Sequence, residues 1–132
     1  MKSGGVLNAE IMKVVAEMGH TDQLMIADAG LPIPPGVQRI DLALVENLPS
    51  FIDVLRAVSK ELALEKYYIA EELPSRNPKV YAALCEALAG IECEMIPHTK
   101  LKEMSQVSKA VVRSGECSPF ANVILQSGVI FA

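Results

Sequence analysis

Apolar residues recur along this chain in short blocks whose spacing switches between a helical and an extended period. Ile11, Val14, Val15 and Met18 fall at i, i+3, i+4 and i+7 within Asn8 to Met18, the stripe of an amphipathic helix. Asn8 supplies an N-cap and Gly19 a residue free to turn out of the helix. The run Leu24-Met25-Ile26-Ala27 ends at Asp28 and meets a proline-stiffened stretch from Ala29 to Gly36, which predicts a buried strand followed by a fixed loop. Ile40 to Val45 reads as a second strand. Pro49-Ser50 with Asp53 resembles a capping box, opening a helix that carries Phe51, Val54, Leu55, Val58 and Leu62 and ends near Leu62. Tyr67 to Ala70 is a third strand.

Asn77 and Pro78 then provide an N-cap and a first-turn proline for a helix burying Tyr81, Leu84, Cys85 and Leu88 and closed by Gly90. Glu92 to Ile96 alternates as a fourth strand and stops at Pro97. Thr99 is placed to cap a short helix with Leu101 and Met104 inward. Ala110 to Arg113 and Val123 to Leu125 are two more strands, around the Ser114 to Pro119 turn. Val129-Ile130-Phe131 is an apolar end that must dock in a sheet or against a neighbour. Strands alternate with helices over most of the length, which predicts an α/β fold of three layers, α/β/α, Rossmann-like, with a mostly parallel sheet and an antiparallel strand near the C-terminus. No repeat or linker interrupts residues 1–132, so they are read as one domain.

Composition narrows the function classes. A hydrophobic fraction of 51% in 132 residues supports a core without staples, since a fold of this length buries roughly two thirds of the surface of its unfolded chain. Lys and Arg are scattered under a net charge of -4, which offers no footprint for nucleic acid. Mean hydropathy is +0.30, yet every apolar run is broken before the ~18 residues of a membrane span. The surplus apolar surface points to subunit contacts. The opening Met-Lys-Ser-Gly-Gly lacks a signal peptide's apolar region, so a cytoplasmic protein is expected. Cys85, Cys93 and Cys117 lack metal-ligand spacing and are read as reduced, small core hydrophobes, with no metal expected.

In open α/β sheets ligands bind beyond the carboxyl ends of the strands, so polar residues just past each apolar run matter most. Asp28 follows the first strand, His98 the fourth, and Ser114 to Asn122 lies between the last two. Asp28 serves either an Asx turn or a ligand. His98 and Lys102, four apart, either share a functional face or form a solvated first turn. His20 precedes the first strand, which puts it at the opposite end of the sheet. It either binds the carbonyls that end the first helix or acts in a pocket that a folded-over loop or another subunit completes. No glycine-rich phosphate cradle follows any strand, and no nucleophile elbow is present. The remaining inventory of His, Asp, Lys and amide groups suits proton transfer on a small polar ligand.

The segments Met18-Gly19-His20-Thr21-Asp22, Ala27-Asp28-Ala29-Gly30-Leu31-Pro32-Ile33-Pro34, Arg39 to Leu44 and Val112-Arg113-Ser114-Gly115-Glu116-Cys117-Ser118-Pro119-Phe120-Ala121-Asn122 to Leu125 together resemble the D-ribose pyranase family, nearly end to end. The related fucose mutarotase family differs in its final segment. The resemblance implies a cytoplasmic isomerase, with no cofactor and no metal, that interconverts pyranose and furanose forms of D-ribose beside ribose uptake and ribokinase. It implies a ring-shaped homo-oligomer, a decamer of two pentamers, with sites at subunit interfaces. Position by position, it makes His20 the proton donor and Asp28, His98, Phe120, Ala121 and Asn122 the sugar ligands. At Phe120 this chain departs from the family's usual tyrosine, removing one hydroxyl that would be worth about 0.5 to 1.5 kcal/mol if it binds sugar.

Opening a hemiacetal ring needs a proton delivered to the ring oxygen and one withdrawn from the anomeric hydroxyl. Reclosure on another hydroxyl changes the ring size, and no carbon-hydrogen bond breaks. An imidazole, which ordinarily titrates near pH ~6.5, does both jobs near neutrality and contributes roughly 10² to 10⁴ in rate. The same polar pocket would serve a non-catalytic sugar-binding or regulatory protein of a ribose uptake pathway, or a mutarotase of another monosaccharide such as fucose. Faster ring exchange, as opposed to binding alone, separates the pyranase from the regulator.

Overall fold

The computed structural model describes all 132 residues. In chain order the elements are α1 (Ala9–Glu17), β1 (Gln23–Ala27), β2 (Gln38–Asp41), α2 (Phe51–Ser59), β3 (Leu64–Ala70), α3 (Leu73–Arg76), α4 (Pro78–Ala87), β4 (Glu92–Ile96), α5 (His98–Met104), β5 (Ala110–Arg113) and β6 (Val123–Ser127). The helices start where their caps dictate. Asn8 Oδ1 accepts the Ile11 N–H at 2.9 Å before α1, and Ser50 Oγ accepts the Asp53 N–H at 3.1 Å before α2. Asn77 caps α4 through the Val80 N–H.

The strands form one sheet in the order β2-β5-β1-β6-β3-β4. β2, β5 and β1 run parallel, as do β3 and β4, while β6 runs antiparallel to both β1 and β3. The antiparallel strand expected near the C-terminus therefore lies in the middle of the sheet, stitching two parallel halves together. Alternation along each strand sorts side chains to two faces. Leu24 and Ile26 join α1, α2 and α4 in a core of 22 buried residues. Met25 and Ala27 face the other way, into a core of 8 buried residues shared with α5 and Leu31. Three layers result, the second face far more thinly covered than the first.

Several local expectations are corrected. The second strand ends at Asp41 instead of Val45. Asp41 Oδ1 accepts the Ala43 N–H at 3.0 Å, and Leu44 donates to Leu48 O to close a small hairpin, which leaves Leu44 74% exposed. α2 stops at Ser59, and the chain re-enters the sheet at Leu64. α3 arises where no helix was expected. Cys85 is half-buried and Cys93 and Cys117 are exposed, so the cysteines are not core hydrophobes. Cys93 sits on an edge strand exposed from Glu92 to Met95, and Cys117 in a loop. Thr99 does not cap α5, which begins one residue earlier, at His98. The C-terminal segment does not extend β6, and Ile130 is 94% exposed. No helix is long and apolar enough to cross a membrane.

Candidate active site

The parallel strands β1, β3, β4 and β5 deliver their carboxyl ends to one edge of the sheet, and antiparallel β6 begins there. This brings Asp28, His98 and the Phe120 to Asn122 segment together, as the strand-end reading expected. Asn122 is fully buried. Its Oδ1 accepts the Asp28 N–H at 2.8 Å and its Nδ2 donates to Asp28 Oδ2 at 3.0 Å. The other carboxylate oxygen of Asp28 accepts the Gly30 N–H at 2.9 Å. Asp28 is thus both the Asx-turn residue of its loop and the partner of a buried amide. Three directed hydrogen bonds hold its carboxyl and main chain before any ligand arrives.

His98 stands across from this pair. Its ring meets Phe120 edge-on, with centroids 5.0 Å apart at 88°, a favoured aromatic geometry. Its Nδ1 is buried and has no partner within the chain, an unsatisfied polar atom at this edge of the sheet. Burial pushes the imidazole's pKa down, as does the Lys102 ammonium one turn along α5. The carboxylates of Glu72 and Asp28 oppose that fall. Lys102 itself is exposed.

Phe120 adopts φ +60°, a left-handed conformation that costs an aromatic residue on the order of 1 kcal/mol or more. Its surroundings enforce it. Asn122 N–H returns to Phe120 O at 2.9 Å across Ala121, a three-residue turn, and Ala121 is fully buried in the larger core. Ala121 therefore spaces the two flanking residues and offers no side chain to a ligand. The Arg76 guanidinium lies 5.5 Å over the Phe120 ring. Asn77 Nδ2 donates to Ser118 Oγ at 2.9 Å and to Pro119 O at 2.8 Å, and Glu116 bridges Ser118 Oγ to the Phe51 N–H.

His20 is not at this edge. It lies at the opposite end of β1 and beside Gly128 beyond the end of β6, about 13 Å or more away along the strand. Its Nε2 is 2.6 Å from Glu65 Oε1. His20 lines a hollow of about 550 Å³ with Met18, Leu62, Val129, Ile130 and Phe131.

Four contributors escaped the sequence reading. Glu72 follows the apolar Ile69-Ala70 and obeys the same strand-end rule that singled out Asp28, so its signal was present. Arg76 carried none, because its partner is 44 positions away in the chain; Glu116 lay within the Ser114 to Asn122 segment, but its bond to Phe51, 65 positions away, was not legible. Asn77 was legible only as a helix cap.

The RbsD / FucU transport protein family model matches residues 1–130. D-ribose pyranase of Laribacter hongkongensis is 50% identical over 131 residues, covering 99% of this chain and 100% of the relative. The enzyme of the same name from Lactobacillus gasseri matches at 50% with the same coverage. Among solved structures, that of Bacillus subtilis RbsD complexed with D-ribose superposes with a TM-score of 0.96 at 43% identity, over 99% of this chain and 100% of that one.

Proposed function

This chain belongs to the RbsD / FucU family, and from that premise we propose how it works as a D-ribose pyranase, an isomerase that interconverts the β-pyranose and β-furanose forms of D-ribose. The observation that carries this function is the near-complete superposition on RbsD complexed with D-ribose. Exchange NMR on ribose tests it. Addition of the protein accelerates pyranose to furanose exchange, and binding without acceleration would reduce the protein to a sugar receptor.

The site residues act as follows. His20 delivers the proton to the ring oxygen as the bond from that oxygen to the anomeric carbon breaks, and a base withdraws the anomeric hydroxyl proton as the aldehyde forms. Another hydroxyl then attacks the aldehyde carbon, its proton leaves, and the carbonyl oxygen is reprotonated, so protons and electron pairs balance with no net change. Asp28, His98 and Asn122 hold hydroxyls, with the Phe120 ring as an apolar wall and Ala121 spacing the turn. Lys102 is a further candidate, through its charge. The reading needs neither cofactor nor metal, and treats residues 1–132 as one domain working in the cytoplasm.

One chain cannot bring His20 to Asp28, since β1 separates them. A second copy can. Exposed Leu44, Val45 and Leu48 flank the Asp28 end, and exposed Val129, Ile130 and Phe131 flank the His20 end. Joining one end to the other is a heterologous contact, which closes into a ring when its rotation allows. The assembly we propose is a homo-oligomer with sites between subunits, a decamer of two pentameric rings.

Subunit complementation tests this arrangement. His20→Ala and His98→Ala proteins are each expected to lose accelerated exchange. Reassembled together in equal amounts, they regain roughly a quarter of wild-type activity, because one interface in four pairs an intact His20 with an intact His98. A mixture as inactive as its components would put both residues in the same subunit's site and defeat the shared-site reading.

A further inference from the structure

His98 opens α5, and α5 has no capping side chain of its own. Pro97 occupies the cap position and has neither a side-chain acceptor nor an N–H. The first N–H of the helix is nonetheless satisfied from another element. Glu72, two residues past β3, sets Oε1 at 3.1 Å and Oε2 at 3.4 Å from the His98 N–H. The two segments are tied side by side just beneath, where Glu71 N–H donates to Ile96 O at 2.8 Å. Four residues on, Arg76 lies over the same Phe120 ring that His98 meets edge-on.

We propose that Glu72 is a positioning residue of the sugar site: its carboxylate holds the main chain of His98 and places a negative charge beside the His98 imidazole. The proposal rests on the ribose-site reading above, which names His98 as a ligand but gives Glu72 no part.

Geometry and charge act in the same direction. A carboxylate at the first turn of a helix is favourable, and here it is delivered from a segment that also carries Arg76. The groups facing the imidazole are Lys102 on α5, Glu72 before α3 and Asp28 after β1, with Arg76 over the neighbouring Phe120 ring as a further cation. Lys102 and burial favour the neutral ring, whereas Glu72 and Asp28 favour the protonated one. Without Glu72, His98 would be less firmly placed and would protonate only at lower pH.

The test uses the full protein and two variants. The chain has only two histidines, so their imidazole NMR signals are few, and His20→Ala assigns them. In Glu72→Gln the amide oxygen can still accept the His98 N–H, but the charge is gone. His98 is expected to titrate at lower pH than in wild type, with ribose affinity within about threefold. In Glu72→Ala both contributions are lost, and ribose binding by calorimetry is expected to weaken about fivefold to tenfold. An unchanged His98 titration in Glu72→Gln, or wild-type affinity in Glu72→Ala, would overturn the proposal. A wild-type protein that bound no ribose would defeat the reading of the site, while the titration would still decide the role of Glu72.

Discussion

Asp28 and Asn122 meet in a fully directed exchange, and that sets what substitution can do there. Asp28 uses one carboxylate oxygen for the Gly30 N–H and the other for the Asn122 amide, while Asn122 Oδ1 is committed to the Asp28 N–H. Asp28→Asn preserves shape but turns one acceptor into a donor, which then faces either the Asn122 NH₂ or the Gly30 N–H. A buried donor set against a donor costs about 1 to 3 kcal/mol, so the variant is expected to unfold at lower urea and bind ribose weakly. Adding Asn122→Asp restores every hydrogen bond, with donor and acceptor exchanged in the one that joins the two side chains. The double variant is therefore expected to recover part of the lost stability, less the cost of moving the carboxylate to a fully buried position, but not the affinity, because its charge has moved across the site. A double-mutant cycle read by urea unfolding checks this, and additive losses would show that the two side chains are not coupled. The pH dependence at His98 has a definite sign. Its pKa is lowered on folding from the ordinary value of 6.5, so the unfolded chain holds more protons just below that value. Its contribution to stability is complete above pH 6.5 and is lost as the pH falls toward the lowered folded value.

The loop from Ser114 to Asn122 is the element that assembles the site, and it is held from several sides. Ser114 Oγ and N–H both donate to Ala27 O, Ala29 N–H donates to Glu116 O, and Asn47 N–H donates to Gly115 O. Gly115 is required by close approach. A Cβ there would lie 2.5 to 2.8 Å from the main chain of Leu48, which no side-chain rotation relieves. Gly115→Ala is expected to push the hairpin of Leu44 to Leu48 outward and to destabilise the fold by about 1 to 3 kcal/mol. If that hairpin forms part of a subunit contact, light scattering on the same variant will show a smaller assembly. Unaltered stability and size would mean that the hairpin moves freely. Among the elements, the three long helices were legible because cap and period agree in each, while the end of α2, which no stop signal marks, was placed too late. β2 was misjudged because Leu42 to Val45 is apolar by composition, while the Asp41 turn and left-handed Asn47 decide its path.

For the whole molecule, the two ends of the sheet carry different chemistry and both expose apolar side chains. Ile130 and Phe131 make little contact within the chain, so Ile130→Asp should leave the fold intact while placing an unpaired charge in the proposed contact. Wild type is expected well above a dimer by light scattering at micromolar protein, and Ile130→Asp in smaller species with lost exchange activity. A monomeric wild type would leave the shared site without a basis. The amino-acid sequence by itself determined the α/β class, the helix boundaries set by Asn8, Ser50 and Asn77, and the polar candidates at strand ends, since each is written in local spacing and hydrogen-bonding capacity. Strand order, the central place of β6, the clasp of Asp28 by Asn122 and the capping of α5 by Glu72 were decided only by the tertiary structure. Those pairings join residues 26 to 103 positions apart, and what selects among distant partners is the burial of both sheet faces together, which no local pattern encodes.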